Sequence, residues 1–538
     1  MRFTENRFIL IMKNKFTFRP APAHRSLGED AFLNPQVFVS LVVVFAGILF
    51  AFFATANPQR SIGERPRQTD RVSHTPSDNV QEAWVASYNG PGNYVDQAAA
   101  VAVDDSGNVY VTGGSFGSDG SSDYATIKYN AAGQEEWIAR YNGPAQGNDV
   151  AAALAIDASG SVYVTGSSVD PAGFPDYVTI KYSSNGQEQW LARYNGPDAF
   201  FDEATAIAVD SSGNVYVTGS SYDSDSTSDY ATIKYDSAGQ EQWVARYDAP
   251  GQSSDDPSAM AVDSAGAVYV TGASSLAKGA PTDYATVKYD ADGQEQWVAR
   301  YDGPGASDEK ATAIAVDSSA NVYVTGASVG ATTSYDYATI KYDATGQEQW
   351  VARYDGATEF GDFATAMAVD GSGVYVTGAG GGSALGQDYT TIKYNSAGQE
   401  QWVASYDGPG DADDYATAIV TDGSGNAYVT GASVGIGTGY DYSTVKYDTT
   451  GQEQWAVRFD GPANFDDQTN AIAIDDAGNV YVTGLITDQD TDFDYATIKY
   501  AQGVSPTPTP PPRSSPTPRV RPSPHPRPTP LRGTDERA

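Results

Sequence analysis

The stretch ATAIAVDSSGNVYVTGSSYDSDSTSDYATIKYDSAGQEQWVARY, residues 204–247, decides the fold. It separates into AIAVD (206–210), VYVTG (215–219), DYATIKY (229–235) and EQWVARY (241–247), pieces five to seven residues long. Each is rich in β-branched or aromatic residues and is bounded by Gly, Ser, Asn or Asp, while no 3.6-residue apolar period is present. The unit therefore predicts four antiparallel strands. It recurs eight times, marked by Trp84, Trp137, Trp190, Trp243, Trp297, Trp350, Trp402 and Trp455 at spacings of 53, 53, 53, 54, 53, 52 and 53 residues.

A β-rich unit of this period suggests blades set radially around an axis rather than a helical solenoid. The A-I-A-V-D strand carries Ala at alternate positions and suits the crowded axis, whereas the Trp strand suits the wide outer rim. The first Trp strand, Trp84–Tyr88, stands alone, and the last unit stops after Tyr500 without one. The expected fold is thus all-β, an eight-bladed β-propeller of four-stranded antiparallel blades, its ring closed by the N-terminal strand joining the last blade.

Copies such as ATAIAVDSSGNVYVTGSS (204–221) with DYATIKYDSAGQEQW (229–243) resemble the bacterial SBBP, or seven-bladed beta-propeller, repeats. The resemblance covers roughly 83–500 and departs from the family name in having eight copies. It implies an exported bacterial protein and says more about fold than activity. The A-I-A-V-D-x-x-G-N-V-Y-V segment is also similar to NHL repeats. Asp343 to Trp350 (DATGQEQW) looks like the tryptophan-docking motif of eight-bladed quinoprotein dehydrogenases, though its loop is one residue shorter. That likeness implies either a packed, docking Trp or a quinone cofactor.

Composition bounds the chemistry. Of 538 residues none is Cys, which excludes disulfides, thiol nucleophiles and Cys-ligated metal clusters. The net charge is −36, and residues 83–500 hold 16 basic against 59 acidic side chains, a field that repels phosphate backbones. No nucleic-acid partner is expected. His24, His74 and His525 all lie outside the repeats, so the commonest general base and zinc ligand is missing from them.

The flanks differ in character. Val37 to Ala56 is an uncharged apolar run preceded by basic residues and ending in Ala54-Thr55-Ala56. Residues 1–56 read as a signal peptide cleaved after Ala56, or as a membrane anchor if uncleaved, and 57–82 as a linker. Residues 501–538 form a tail whose segment 505–530 has 12 prolines interspersed with Arg513, Arg519, Arg521 and Arg527, the composition of an extended polyproline II spacer.

Candidate sites follow from what recurs and what does not. Asp96, Asp149, Asp202, Asp255, Glu309, Asp362, Asp414 and Asp467 put an acid at the start of every inner strand. Around a ring they would surround the channel mouth, either capping backbone or binding a hard cation such as calcium weakly. Asp123, Asp176, Asp229, Asp283, Asp336, Asp388, Asp441 and Asp494 open the third strands, where pairing with Arg246 and its equivalents is expected. The D-x-S-G-N turns, as at Asp210 to Asn214, have part of a calcium loop's composition but suit an Asx-stabilised hairpin. Strand parity sets the uniform turns on one face and the divergent loops on the other. The divergent face bears Tyr94, Phe174, Phe200, Phe201, Tyr222, Tyr335, Phe360, Tyr415, Tyr440 and Phe465, rings suited to stacking on sugars or anchoring a protein.

The expected function is a non-enzymatic, monomeric binding scaffold that is secreted, periplasmic or at the cell surface. Its partner would be a protein or carbohydrate on the divergent face. The alternative is a periplasmic, quinoprotein-like enzyme with a cofactor at the central channel.

Overall fold

In a computed structural model, the structure describes residues 80–503 apart from 225–226, 252, 306, 357–359, 384–385, 411 and 489–491. The apolar run at 37–56 and the proline-rich segment at 505–530 lie outside the described residues. Among the described residues there are thirty-two strands and no helix, numbered from β1 (Val80–Tyr88) to β32 (Phe493–Gln502). They form eight antiparallel sheets of four. Blades 1 to 7 each take four consecutive strands and occupy residues 96–141, 149–194, 202–247, 255–301, 310–354, 363–406 and 414–459. Blade 8 combines 468–502 with β1, which pairs antiparallel with β32 from Val80 opposite Gln502 to Tyr88 opposite Tyr495.

Within a blade the strands run from axis to rim in chain order. The first strands of neighbouring blades touch one another all the way round, including blade 8 against blade 1, so these are innermost. Close packing there explains two sequence features. Gly219 closes the VYVTG strand because a Cβ at this position would sit 2.0 Å from the Glu203 carbonyl oxygen. Each inner strand also carries a bulge, between Ala204 and Ala206 in blade 3, which sharpens the twist that a radial blade needs.

Apolar burial lies between blades rather than within one shared core. Tyr216 and Tyr230 of blade 3 pack with Val268, Val270 and Val287 of blade 4, and Tyr481 and Tyr495 of blade 8 pack with Val109 and Val111 of blade 1. At the rim every Trp but Trp455 lies across the next blade's outer turn. Trp190 Nε1 donates to Ser237 O at 3.2 Å, and its ring covers Gly239, whose φ of +79° only glycine adopts freely. Seven of the eight indoles donate in this way, at 3.0–3.2 Å. Trp455 is the exception: it is buried, but its Nε1 finds no acceptor, because the turn it would meet in blade 8 is replaced by the two chain segments that pair there.

Deleting residues 57–90 removes β1 and leaves β32 as an open edge. The truncated chain is expected to melt several degrees lower or to associate through that edge. A monomer melting at the full-length temperature, read by calorimetry with light scattering, would contradict closure by β1.

Candidate functional site

The inner-strand acids are where the sequence puts them, but not in an open mouth. All eight are at most 1% exposed, and each accepts a backbone N–H from the loop leading in from the preceding blade. Asp96 takes Gly90 N at 2.5 Å, while Asp202, Asp255, Glu309, Asp362 and Asp414 take the equivalent N–H at 2.6 Å. Asp149 and Asp467 bond Gly143 and Gly461 likewise. Several clamp a second strand too: Asp362 also accepts Gly381 N at 2.7 Å and Glu309 accepts the Ser328 hydroxyl at 3.0 Å. This is backbone capping between blades. Burial pushes the carboxyls of Asp202, Asp362 and Asp467 up to about 6 and that of Glu309 up to about 7.

The D-x-S-G-N turns are Asx turns whose oxygens are already used. Asp210 Oδ1 accepts the N–H groups of Ser212 and Asn214, both at 2.9 Å, and Oδ2 accepts Asn214 Nδ2 at 2.7 Å and the Tyr216 hydroxyl at 3.1 Å. Burial opposes ionisation of Asp210, yet these bonds win and hold its carboxyl below the usual range.

The third-strand acids pair with arginine as expected in six blades. Arg140, Arg193, Arg246, Arg300, Arg353 and Arg458 meet Asp123, Asp176, Asp229, Asp283, Asp336 and Asp441 at 2.7–2.9 Å. In blades 6 and 8 the arginine position is Ser405 and Ser87. Four junctions bring three carboxylates together, with one oxygen from each lying within 4.8 Å of the others: Asp229, Asp248 and Asp255; Asp336, Asp355 and Asp362; Asp388, Asp407 and Asp414; Asp441, Asp460 and Asp467. Sequence reading missed the middle member of each. Its signal was visible: the outer strand's last aromatic is followed by Asp in blades 3 to 7 but by Asn89, Asn142 and Asn195 in blades 8, 1 and 2.

The divergent loops gather only part of the expected aromatic set. Phe174, Phe200 and Phe201 form a mutual cluster with centroids 4.9–5.3 Å apart, and Tyr222 joins Phe201 at 6.2 Å. All four are half-buried, on the loops where blades 2 and 3 meet. Phe200 follows Ala199, held at φ +49°, a conformation that disfavours a Cβ. Elsewhere the rings occur as pairs, Tyr415 with Tyr440 at 5.9 Å and Tyr335 with Phe363 at 5.2 Å, or stand more open, as Tyr94, Phe360 and Phe465 do at 56%, 42% and 65% exposure.

Beside the cluster lies a charged set that breaks the repeat. The residue after each inner-strand acid is Gln97, Val150, Glu203, Asp256, Lys310, Phe363, Tyr415 or Gln468, so charge is confined to blades 3 to 5. Asp256 Oδ1 accepts the hydroxyls of Ser228 at 2.7 Å and Ser220 at 3.2 Å. Burial, then the charge of Asp256, pushes Glu203 up to about 7, and burial lowers Lys310. Burial followed by the charges of Asp256 and Glu203 likewise drives the Tyr222 hydroxyl up to about 12, which joins the acids to the aromatic cluster. The sequence reading did not single out Glu203, Asp256 and Lys310.

Comparison with known proteins agrees with the geometry. The SBBP beta-propeller repeat matches residues 201–225, 296–330 and 461–490, so the chain carries propeller repeats of that family. Regulatory protein FlaEY of Caulobacter vibrioides is 36% identical over 116 residues, covering 19% of this chain and only 12% of that protein's length. Among solved structures, a periplasmic gluconolactonase of Pseudomonas aeruginosa is 13% identical with a TM-score of 0.39, covering 65% of this chain and 95% of that one. A protein of unknown function from Dyadobacter fermentans is 9% identical with a TM-score of 0.36, covering 78% and 99%. Neither bears on activity here.

The raised carboxyls predict an unusual pH response. Each is raised in the folded state, so the folded state binds the extra proton, and the stabilisation is complete below the unfolded value near 4 and is lost as pH climbs through 6 to 7. Turn acids such as Asp210 act oppositely, below about pH 4. At fixed ionic strength the melting temperature is expected to fall by a few degrees between pH 4.5 and 7.5, and Glu309→Gln to flatten the upper half of that slope. An unchanged slope in Glu309→Gln would contradict this assignment.

Proposed function

We propose that the protein is a non-enzymatic, exported binding propeller that takes a carbohydrate on the divergent face where blades 2, 3 and 4 meet. The observation that carries this reading is the cluster of Phe174, Phe200, Phe201 and Tyr222 set beside the carboxylates of Glu203 and Asp256. Sugars present apolar C–H faces that stack on aromatic rings and hydroxyls that donate to carboxylates, and this patch offers both across two adjoining junctions. Among the described residues no other blade shows this combination, so one main subsite is expected rather than eight equal ones. Export is supported by the 37–56 segment and the A-x-A site at 54–56.

The test is a glycan array followed by titration calorimetry on chain produced in a bacterial host. A neutral or cationic glycan is expected to bind, with at least a tenfold loss in Phe200→Ala/Phe201→Ala and little change in Phe465→Ala on blade 8. Equal losses in both variants, or no glycan bound at all, would overturn the reading. Recovery of the chain only from the cytosol with Met1 intact would contradict export.

A further inference from the structure

The dipeptide Asn-Gly occurs four times, as Asn89-Gly90, Asn142-Gly143, Asn185-Gly186 and Asn195-Gly196. A glycine following asparagine carries no side chain to shield its backbone nitrogen, which can therefore close on the asparagine Cγ to form a five-membered imide. Three of the four dipeptides stand at one repeated place, the start of the loop from an outer strand to the next blade. The other five junctions hold Asp248, Asp302, Asp355, Asp407 and Asp460 there. Asn185-Gly186 lies instead in the outer turn of blade 2, between Tyr182 and Glu188.

What each glycine nitrogen and each asparagine amide touches separates the four. Gly196 is buried and its N–H donates to Asp202 Oδ2 at 2.6 Å. The Gly186 N–H donates at 2.9 Å to the Ser183 carbonyl, an oxygen that takes up no proton at neutral pH. Gly90 and Gly143 also face carboxylates, Asp96 and Asp149, but the amides beside them are tied down. Asn89 Nδ2 donates to Asn93 Oδ1 at 2.9 Å and Asn142 Nδ2 to Asp119 Oδ2 at 3.1 Å. Asn195 is exposed, and among the described residues its amide makes no hydrogen bond. Sibling junctions show how close this position stands to the inner-strand acid: an oxygen of Asp248 lies within 4.8 Å of one of Asp255, and Asp355 stands likewise to Asp362. Of the four, Asn195 combines a carboxylate on the attacking nitrogen with an amide free to leave.

We propose that Asn195 is a self-modifying position, deamidated by attack of the Gly196 nitrogen on Asn195 Cγ with Asp202 as the base. Asp202 Oδ2 takes the N–H proton as the N–Cγ bond forms and returns it to Nδ2 as the Cγ–Nδ2 bond breaks. Ammonia leaves, and a succinimide remains. Water then opens the ring at Cγ to give aspartate, or at the main-chain carbonyl carbon to give isoaspartate, and the Gly196 N–H is restored. No electrons change hands, and Asp202 ends as it began. Burial pushes the Asp202 carboxyl up to about 6, so it is largely ionised at pH 7.5 and more basic than an ordinary carboxylate. The aspartate product is the residue that five sibling junctions encode, and it adds a negative charge to the loop bearing Phe200 and Phe201. The chemistry stands or falls independently of carbohydrate binding.

Purified full-length protein is held at about 37 °C and pH 7.5 for several weeks and its peptides are followed by mass spectrometry, the conversion adding about 1 Da. In the folded chain Asn195 is expected to convert about tenfold faster than Asn185 or Asn142, and in urea the four sites to convert at similar rates. Aged intact protein should gain an ion-exchange peak that coincides with fresh Asn195→Asp. Asp202→Asn, which keeps an acceptor for the Gly196 N–H but no base, should bring Asn195 down to the rate of Asn185. Asp202→Glu, the acid that blade 5 uses at this place as Glu309, should keep the fast rate. Conversion of Asn195 no faster than Asn185, the same ratio of rates in urea, or an unchanged rate in Asp202→Asn would overturn the inference.

Discussion

Everything in this molecule depends on closing a ring whose blades cannot stand alone. Each blade buries its apolar faces only against two neighbours, so an unpaired last blade would expose both a face and a row of backbone donors and acceptors. The chain meets this constraint by splitting one repeat between its two ends: β1 forms the outer strand of blade 8. Closure has a visible cost at the seam, where Trp455 loses the turn on which the other seven indoles rest. The inner acids belong to the same constraint, because each ties the loop of one blade to the first strand of the next.

Once the scaffold is closed, function is carried by departures from the repeat. Repetition spreads the Asx turns, seven docked indoles and six Arg–Asp pairs around the ring, and features so widely repeated hold a ring together without selecting a ligand. The asymmetric features are few and local. Rings and acids gather where blades 2, 3 and 4 meet, and serine stands at the arginine position of blades 6 and 8, as Ser405 and Ser87. A propeller suits such specialisation because altering one blade leaves the remaining interfaces intact.

The fold was legible in the amino-acid sequence because its signals are local and recur: the Trp spacing, the strand-length pieces and the lone first Trp strand together specify blade number and closure. The Arg–Asp pairs were legible too, since hairpin counting places both partners in one blade. Ala-rich inner strands did not reveal that the acids beginning them would be sealed, because their partners, such as Gly196 for Asp202, come from loops crossing between blades. The four groups of three carboxylates stayed hidden for the same reason: Asp229 belongs to blade 3, Asp248 to the loop that follows it and Asp255 to blade 4. Of the aromatic face, residue type predicted ten candidates, and only lateral packing distinguishes the Phe174–Tyr222 cluster from isolated rings such as Phe465.

Amide hydrogen exchange along β1, read by mass spectrometry on the intact protein, tests closure most directly. If Val80–Tyr88 is the outer strand of blade 8, its ladder amides exchange as slowly as those of the other outer strands, such as Glu241–Tyr247. Exchange of β1 at the rate of an unpaired segment, with β32 losing protection beside it, would contradict the account.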